Sequence, residues 1–149
     1  MTMMKLQDGT PVHCLIKSEA NVLDHHVEGY FSHGIAINDG DVVFDVGANV
    51  GVFCIRAMQK AKDIRVFAFE PIPDIFACLK RNAEDFGQGR FVALPYGVSD
   101  KKGELDFSYY PNSPALSTSN PDMWDEASLE DAVEGTLRNP PPHMWWMAY

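Results

Sequence analysis

Residues 42–53 carry the sequence Val-Val-Phe-Asp-Val-Gly-Ala-Asn-Val-Gly-Val-Phe, which predicts a strand, a glycine-rich turn and the start of a helix. The first five are apolar and mostly β-branched around a single acid, as is typical of a central parallel strand covered on both faces. Gly47 would permit a sharp turn, and Gly51 would leave room where a ligand approaches the backbone. Open α/β sheets bind nucleotides where a strand passes through glycines into a helix, so we expect such a ligand here.

The spacing of these glycines distinguishes between classes of nucleotide-binding protein. The dinucleotide fingerprint requires Gly-x-Gly-x-x-Gly, and Asn49 stands where its second glycine would be. A phosphate-binding P-loop requires a Lys-Ser/Thr pair after the glycines, and this loop has none. Asp45 at the strand end instead favours a ligand with an amine, because a carboxylate can accept hydrogen bonds from an ammonium group directly or through water. An NAD(P)-dependent dehydrogenase has the right sheet topology but the wrong glycine pattern.

Residues 65–71, Arg-Val-Phe-Ala-Phe-Glu-Pro, predict a second buried strand that also ends in an acid. One crossover helix fits between Asp45 and Glu70, and a carboxylate at the second position can accept hydrogen bonds from both hydroxyls of a ribose. Together the two motifs resemble class I S-adenosylmethionine (SAM)-dependent methyltransferases. The order Phe-Asp-Val-Gly-Ala-Asn-Val-Gly and then Phe-Glu-Pro is most similar to the FkbM family, whose members are typically O-methylating enzymes.

The resemblance implies an α/β fold with the Rossmann-like sheet of class I methyltransferases, and SAM as the cofactor. Asp45 would lie near the methionine amine, the glycines would give access to the backbone, and Glu70 would bind the ribose. The cofactor-binding residues implied in this way are Asp45, Gly47, Ala48, Asn49, Gly51, Glu70 and Pro71. No catalytic base is identified, since His25, His26 and Asp100 are candidates without geometry, and no metal is expected.

Before this core, the sequence predicts a hairpin and a helix. Residues 3–16 would form the hairpin around an Asp8-Gly9 turn. Asn21 would cap a helix that runs to about Phe31. Both elements lie ahead of the first strand of the core.

The predicted helix carries an adjacent histidine pair, His25 and His26, which invites a catalytic or metal-binding interpretation. Adjacent helix positions point about 100° apart, so the two rings cannot easily serve one site, and we interpret both as solvent-facing. The family resemblance places an N-terminal helix beside the methionine end of the cofactor. Glu28, Tyr30 or a histidine is therefore a candidate residue of the pocket.

Two further elements complete the predicted parallel sheet. Pro73 suits the first position of a helix that Gly87 would end. Residues 91–98 predict a third strand, which Pro95 would place at a sheet edge or beside a bulge. Parallel order with short crossovers gives strands 3-2-1, with helices on both sides of the sheet.

The corner at residues 97–100 corresponds to the place where class I methyltransferases hold adenine. Ser99 or Asp100 would contact the base, although Asp100 equally well caps the turn that follows. Residues 104–110 alternate between polar and apolar side chains and predict a half-exposed antiparallel strand.

The chain divides into an N-terminal hairpin and helix cap (1–40), a SAM-binding α/β core (41–110) and a Pro-rich acidic segment (111–149). The last segment predicts an acidic helix over residues 125–137. The tryptophan pair at residues 145–146 is a candidate contact for another chain.

The family sheet continues with a fourth strand that carries a Lys-Ile-Asp-Val-Glu-Gly-like signature, and no such run follows Tyr110. We therefore expect a sheet truncated after strand 3 and a β-hairpin, with the resemblance covering about residues 5–120. The first strand of the core would then have an unpaired apolar edge, which natural sheets avoid. A second copy of the chain or a complementing chain is expected to pair there.

Composition restricts the classes of function further. The chain has 149 residues, of which 46% are hydrophobic and 22% charged, and this fits one domain with a core. The formal net charge of −9 argues against a nucleic acid as the main partner. Three cysteines without metal-ligand spacing indicate reduced thiols in a cytoplasmic protein, and no apolar run reaches membrane length.

These observations favour a SAM-dependent methyltransferase that acts on a hydroxyl of a small molecule or a sugar. The alternative is a non-catalytic or split methyltransferase fragment that works by association with another chain. The absence of a recognisable fourth-strand signature motivates this alternative.

Overall fold

The computed structural model describes residues 1–32, 34, 36–104, 106–110 and 117–120. Its elements, in chain order, are β1 (Thr2–Lys5), β2 (Pro11–Cys14), α1 (Lys17–Tyr30), β3 (Val42–Val46), α2 (Val52–Lys60), β4 (Arg65–Phe69), α3 (Pro73–Phe86) and β5 (Phe91–Leu94). β1 and β2 form the predicted antiparallel hairpin, and the other three strands form one parallel sheet. The predicted α/β fold class is confirmed.

The parallel sheet has the strand order β3-β4-β5, which is the predicted 3-2-1 arrangement. In its register, Val43 lies opposite Val66, and Ala68 lies opposite Ala93. β5 ends at Leu94 and is shorter than the predicted strand, because Pro95 has no N–H to donate to the ladder. The carboxyl ends of β3 and β4 therefore lie side by side.

The described helices of the core lie on one face of the sheet, so the prediction of helices on both sides is wrong for the described residues. The crossover through α2 joins β3 to β4, and the crossover through α3 joins β4 to β5, so both advance by one strand in the same direction. Because both crossovers have the same handedness, α2 and α3 lie on the same side of the sheet. On the opposite face Val42, Phe44 and Val46 are 52%, 65% and 60% exposed. The Phe44 ring stacks on Phe67 with 5.4 Å between the centroids. β3 is therefore apolar, as predicted, but uncovered on this face.

A buried asparagine joins the hairpin to the core. Asn82 in α3 accepts a hydrogen bond from the His13 N–H at 2.8 Å and donates to the His13 carbonyl at 2.9 Å. Its amide also donates to the Val50 carbonyl at 2.7 Å, which fixes the loop between β3 and α2. One neutral side chain thus satisfies three backbone groups from two parts of the chain.

α1 begins four residues before the predicted cap at Asn21, so that prediction is wrong. Its N-cap is Ile16, which makes no side-chain capping bond. The helix is held instead by an ion-pair cluster, the Arg56 cluster, in which buried Asp24 and Arg56 are joined by the exposed Asp8. Arg56 donates to Asp24 from Nε at 2.9 Å and Nη2 at 2.6 Å, and its Nη1 lies 2.6 Å from Asp8 Oδ2. Tertiary pairing therefore holds the middle of the helix, whose N-terminus has no side-chain cap.

The part of the chain after the sheet differs from the prediction. Of residues 104–110, the described ones form no strand, and only Ser108 is bridged, to Thr118 in an antiparallel pair. One compact unit comprises Met1–Glu104 and Tyr109–Ser117, and a second comprises Leu105–Ser108 and Thr118–Tyr149. The predicted acidic helix at 125–137 and the tryptophan pair lie outside the described residues.

Three further properties concern the described residues as a whole. Cys14, Cys54 and Cys78 are buried and free, as predicted from their spacing. No helix in the described ranges combines the length and the apolar character needed to cross a membrane. No group of acidic, histidine or cysteine side chains in those ranges could hold a metal ion.

Candidate functional site

The turn between β3 and α2 has a left-handed residue at every second position of the loop. Gly47, Asn49 and Gly51 have φ angles of 76°, 50° and 86°. Asparagine tolerates this conformation because its short side chain can bond locally, and Asn49 Oδ1 accepts the Val50 N–H at 2.7 Å. Asn49 therefore keeps the loop tight at the position where a dinucleotide-binding loop has glycine.

The two glycines of this loop serve different purposes. A Cβ added to Gly47 would meet no atom within 4 Å, so the space beside its backbone is open. A Cβ added to Gly51 would lie 2.7 Å from Leu79 Cδ1 and 3.0 Å from Phe91 Cζ. Gly51 thus allows α2 to pack closely on α3 and β5, which corrects the interpretation that it makes room for a ligand. Of these two glycines, only Gly47 has open space beside its backbone.

The loop is tied to the end of the neighbouring strand by backbone hydrogen bonds. The N–H groups of Gly47 and Ala48 both donate to the Phe69 carbonyl at 3.0 Å. These bonds place the first residues of the loop directly beside the acid that follows β4. The sequence motifs at 42–53 and 65–71 therefore meet in space, as predicted for the carboxyl ends of neighbouring parallel strands.

Glu70 completes this connection. Its Oε2 accepts the Asn49 N–H at 3.1 Å, and its Oε1 accepts the Ile72 N–H at 2.9 Å. The residue is only 5% exposed. Each carboxylate oxygen has a second lone pair, so Glu70 can still accept a bond from two further donors.

Asp45, at the end of β3, is the second acid of the site. Its Oδ2 accepts a hydrogen bond from the Cys54 thiol at 3.0 Å. Burial raises the pKa of Asp45, and the thiol bond opposes that effect. Burial also raises the pKa of Glu70, against its two backbone bonds, and the Asp45 charge adds to the rise.

Neither acid has a cationic partner in the part of the chain that the structure describes. The ion pairs among the described residues include neither Asp45 nor Glu70. The buried Glu70 and the half-buried Asp45, which have no counter-ion among the described residues, form a site at which a ligand cation would be stabilised.

A cavity of about 430 Å³ opens in front of the loop. Its lining residues are Leu23, His26, Val27, Tyr30, Phe44, Asp45, Val46, Gly47, Ala48, Asn49, Val52 and Phe53. Four of the predicted cofactor-binding residues therefore share one cavity. Gly51, Glu70 and Pro71 are not among its lining residues; of these, Glu70 contacts the loop that lines the cavity by accepting the Asn49 N–H.

α1 supplies one wall of this cavity and separates the two adjacent histidines. His26 is exposed and lines the cavity together with Tyr30, while Glu28 does not. His25 is half-buried, with its Nδ1 3.1 Å from Gln7 Nε2, so the prediction of two solvent-facing rings is wrong for His25. The divergence of the two side chains agrees with their predicted angle on the helix.

The remaining candidates lie away from the cavity. Ser99 and Asp100 are exposed, and the Ser99 hydroxyl donates to Asp100 at 3.2 Å. The residue that the sequence analysis missed is Cys54. Its spacing from Asp45 and its place on an apolar helix stripe gave no signal of a hydrogen bond to the acid.

Comparison with known proteins gives sequence relatives but no family model. No family model matches the chain. The 31-O-demethyl-FK506 methyltransferase FkbM of Streptomyces tacrolimicus is 36% identical over 123 residues, which are 80% of this chain and 46% of that protein. The hexuronic acid methyltransferase AglP of Haloferax volcanii is 40% identical over 73 residues, 49% of this chain and 29% of that protein.

Among solved structures, a SAM-dependent methyltransferase from Aquifex aeolicus aligns with this chain at a TM-score of 0.41 and 16% sequence identity. The alignment covers 54% of this chain and 42% of the Aquifex chain. This chain spans less than half the length of the two sequence relatives. On this sequence relationship, the chain belongs to the FkbM-like SAM-dependent methyltransferases.

Proposed function

We propose that this chain binds SAM at the carboxyl ends of β3 and β4 and takes part in methyl transfer to a hydroxyl of a small molecule or sugar. The observation that carries the proposal is a pair of acids, buried Glu70 and half-buried Asp45, which have no counter-ion among the described residues and lie beside an open glycine loop. SAM fits this arrangement because it carries an ammonium group, a positive sulfonium and a ribose with two hydroxyls. When bound, it would supply the methyl group for transfer.

Each described residue of the site has a defined part in this proposal. The Asp45 carboxylate accepts hydrogen bonds from the ligand amine. Gly47 lets the ligand approach the backbone, and Ala48 and Asn49 extend that surface. Glu70 uses its two remaining lone pairs for the ribose hydroxyls. Pro71 follows Glu70 and restricts its backbone to extended geometry, which keeps the acid at the strand end.

The acceptor is proposed from the names of the relatives. One relative is named for 31-O-demethyl-FK506 and the other for a hexuronic acid, and these names support a small-molecule or sugar-like acceptor. No base is assigned for the acceptor hydroxyl. Held in line with the sulfonium methyl, an acceptor would gain much of its rate from proximity alone.

The test is isothermal titration of the purified chain with SAM. Wild-type protein is expected to bind with micromolar affinity. Glu70→Ala should weaken binding by about tenfold or more, because it removes charge-assisted bonds to the ribose. Glu84→Ala is the matched control: Glu84 is exposed, lies outside the cavity, and should leave the affinity unchanged. Circular dichroism shows whether each variant is folded, and the absence of heat from folded wild type would refute the proposal.

A second candidate function is association with another chain, as a split or non-catalytic fragment. Val42, Phe44 and Val46 favour it, because they form an exposed apolar row on β3, which is an edge strand in the described sheet. Either a second copy or a complementing chain would cover this row. A sizing column should then show concentration-dependent mass, and Phe44→Lys should shift the protein towards the smaller species. Constant monomeric size, with activity in the absence of any partner, would exclude this candidate.

The compartment is part of the same proposal. Three buried, free cysteines support a reducing environment, because thiols persist there without forming disulfides. We therefore propose a cytoplasmic protein.

A further inference from the structure

A thiol lies directly behind the acid that faces the cavity. Cys54 Sγ is 3.0 Å from Asp45 Oδ2, and the Cys54 side chain is completely buried. Asp45 itself lines the cavity. The strand, loop and helix bring the two residues together, because Asp45 lies near the end of β3 and Cys54 in the first turn of α2.

The thiol is the only described group that fixes the orientation of this carboxylate. Among the described residues, no second donor reaches either oxygen of Asp45. The terminal torsion of an aspartate is broad, so an unbound carboxylate can rotate and present either edge to the cavity. A donor on Oδ2 removes that freedom and leaves Oδ1 available to a ligand.

We propose that Cys54 is a positioning residue: its thiol holds Oδ2 of Asp45, so that Oδ1 is presented to the amine of a bound amino-acid sulfonium. This inference rests on the proposed function. It assigns to Cys54 a part in recognition of the amino-acid end of the ligand, with no contact between the thiol and the ligand. A hydroxyl could replace the thiol, since it also donates one hydrogen bond from the same position.

The proposal predicts different effects on binding of the amino-acid part and the nucleoside part of SAM. SAM carries the amine that Asp45 would bind, whereas 5′-methylthioadenosine has the same nucleoside and no amino-acid group. Loss of the thiol should therefore weaken SAM binding and leave methylthioadenosine binding unchanged. A purely structural role for Cys54 would change the two affinities together.

The experiment measures the affinities of both compounds by calorimetry for wild type, Cys54→Ala, Cys54→Ser and Cys78→Ala. Cys78 is the matched control, because it is equally buried in a helix and has no hydrogen bond to a described residue. Cys54→Ala should weaken SAM binding about three- to tenfold, the scale of one ordinary hydrogen bond, and should not affect methylthioadenosine. Cys54→Ser should restore the wild-type preference, and Cys78→Ala should keep it.

The outcomes distinguish this inference from the proposed function. If wild type binds SAM and Cys54→Ala keeps the wild-type ratio of the two affinities, Cys54 does not position Asp45 and the SAM site stands. An equal loss for Cys54→Ser and Cys54→Ala would also overturn the inference, because the serine keeps the donor. If folded wild type binds neither compound, the proposed function fails and the inference fails with it.

Discussion

Buried or half-buried acids occur in two places in the described part of this protein, and the groups that bond to them differ. In the Arg56 cluster, Asp24 is fully buried and receives two guanidinium hydrogen bonds at 2.6 and 2.9 Å. The Gln7 N–H donates to its other oxygen at 2.8 Å. Beside the cavity, Asp45 and Glu70 receive only a thiol or backbone N–H groups and have no cation among the described residues.

The difference indicates which of the two places is built for a ligand. A buried charge is expensive for folding unless a counter-charge accompanies it. The Arg56 cluster supplies that counter-charge from the chain and joins the hairpin, α1 and α2. Asp45 and Glu70 have no such counter-charge among the described residues, so a bound ligand would have to supply it. Groups that cost stability in this way are expected at functional sites.

The largest effect should come from removing the counter-charge of the structural acid. Arg56→Met leaves the carboxylate of Asp24 buried and unpaired, and should lower the free energy of unfolding by about 3–5 kcal/mol. Urea denaturation measures this loss. A loss near zero would mean that Asp24 is not held as an ion, and the contrast between the two sites would fail.

The next effect is the dependence of SAM affinity on pH. Burial raises the pKa of both Asp45 and Glu70, so each takes up a proton at a higher pH than an ordinary carboxyl. Affinity should be greatest at neutral pH and should fall by up to about tenfold for each pH unit below the raised pKa of the first acid to be protonated. Titrations over a pH series test this. His26→Gln should keep the loss, which separates the acids from the histidine in the same cavity.

A smaller effect, of opposite sign, is expected for stability without ligand. The folded pKa of Asp45 is above its unfolded value, so ionisation of the folded protein costs stability, and the cost is complete above the folded pKa. Asp45→Asn removes that cost, and should raise Tm at neutral pH by about 2–5 °C for a domain of this size. The gain should shrink as the pH falls and vanish below the unfolded pKa. Thermal melts at several pH values measure it, and a lower Tm at neutral pH would contradict the account.

The smallest effect should come from an exposed ion pair. Arg90 lies 3.4 Å from Asp63, with side chains 36% and 89% exposed. Arg90→Met should change the free energy of unfolding by about 0–1 kcal/mol, since exposed pairs contribute little. It is the matched control for Arg56→Met, because both substitutions replace an arginine of an ion pair with the same residue.

The sequence was informative where a pattern was local. The β-branched run before Gly47, the turn at Asp8-Gly9 and the alternation of strand and helix predicted the elements and the strand order. The meeting of Asp45 with Glu70 followed from the rule that carboxyl ends of parallel strands share one edge. Even the separation of His25 from His26 followed from helix geometry.

What the sequence could not show depends on contacts between distant positions. α1 starts without a side-chain cap, and the contact that holds the middle of this helix joins Arg56 to Asp24, 32 positions away. The packing role of Gly51 depends on Leu79, which only the folded chain brings near it. The pairing of Cys54 with Asp45 was hidden because a cysteine on an apolar stripe looks like any other core residue.

The central claim is that the acids without a counter-ion form a site for a cationic ligand. Its most direct test is calorimetric titration of SAM into wild type and Asp45→Asn at neutral pH. The account predicts micromolar binding for wild type and a loss of about 10–100-fold for the variant, the scale of a hydrogen bond to a charged group, even if the variant melts at a higher temperature. Equal affinities for the two proteins, or no binding by folded wild type, would contradict it.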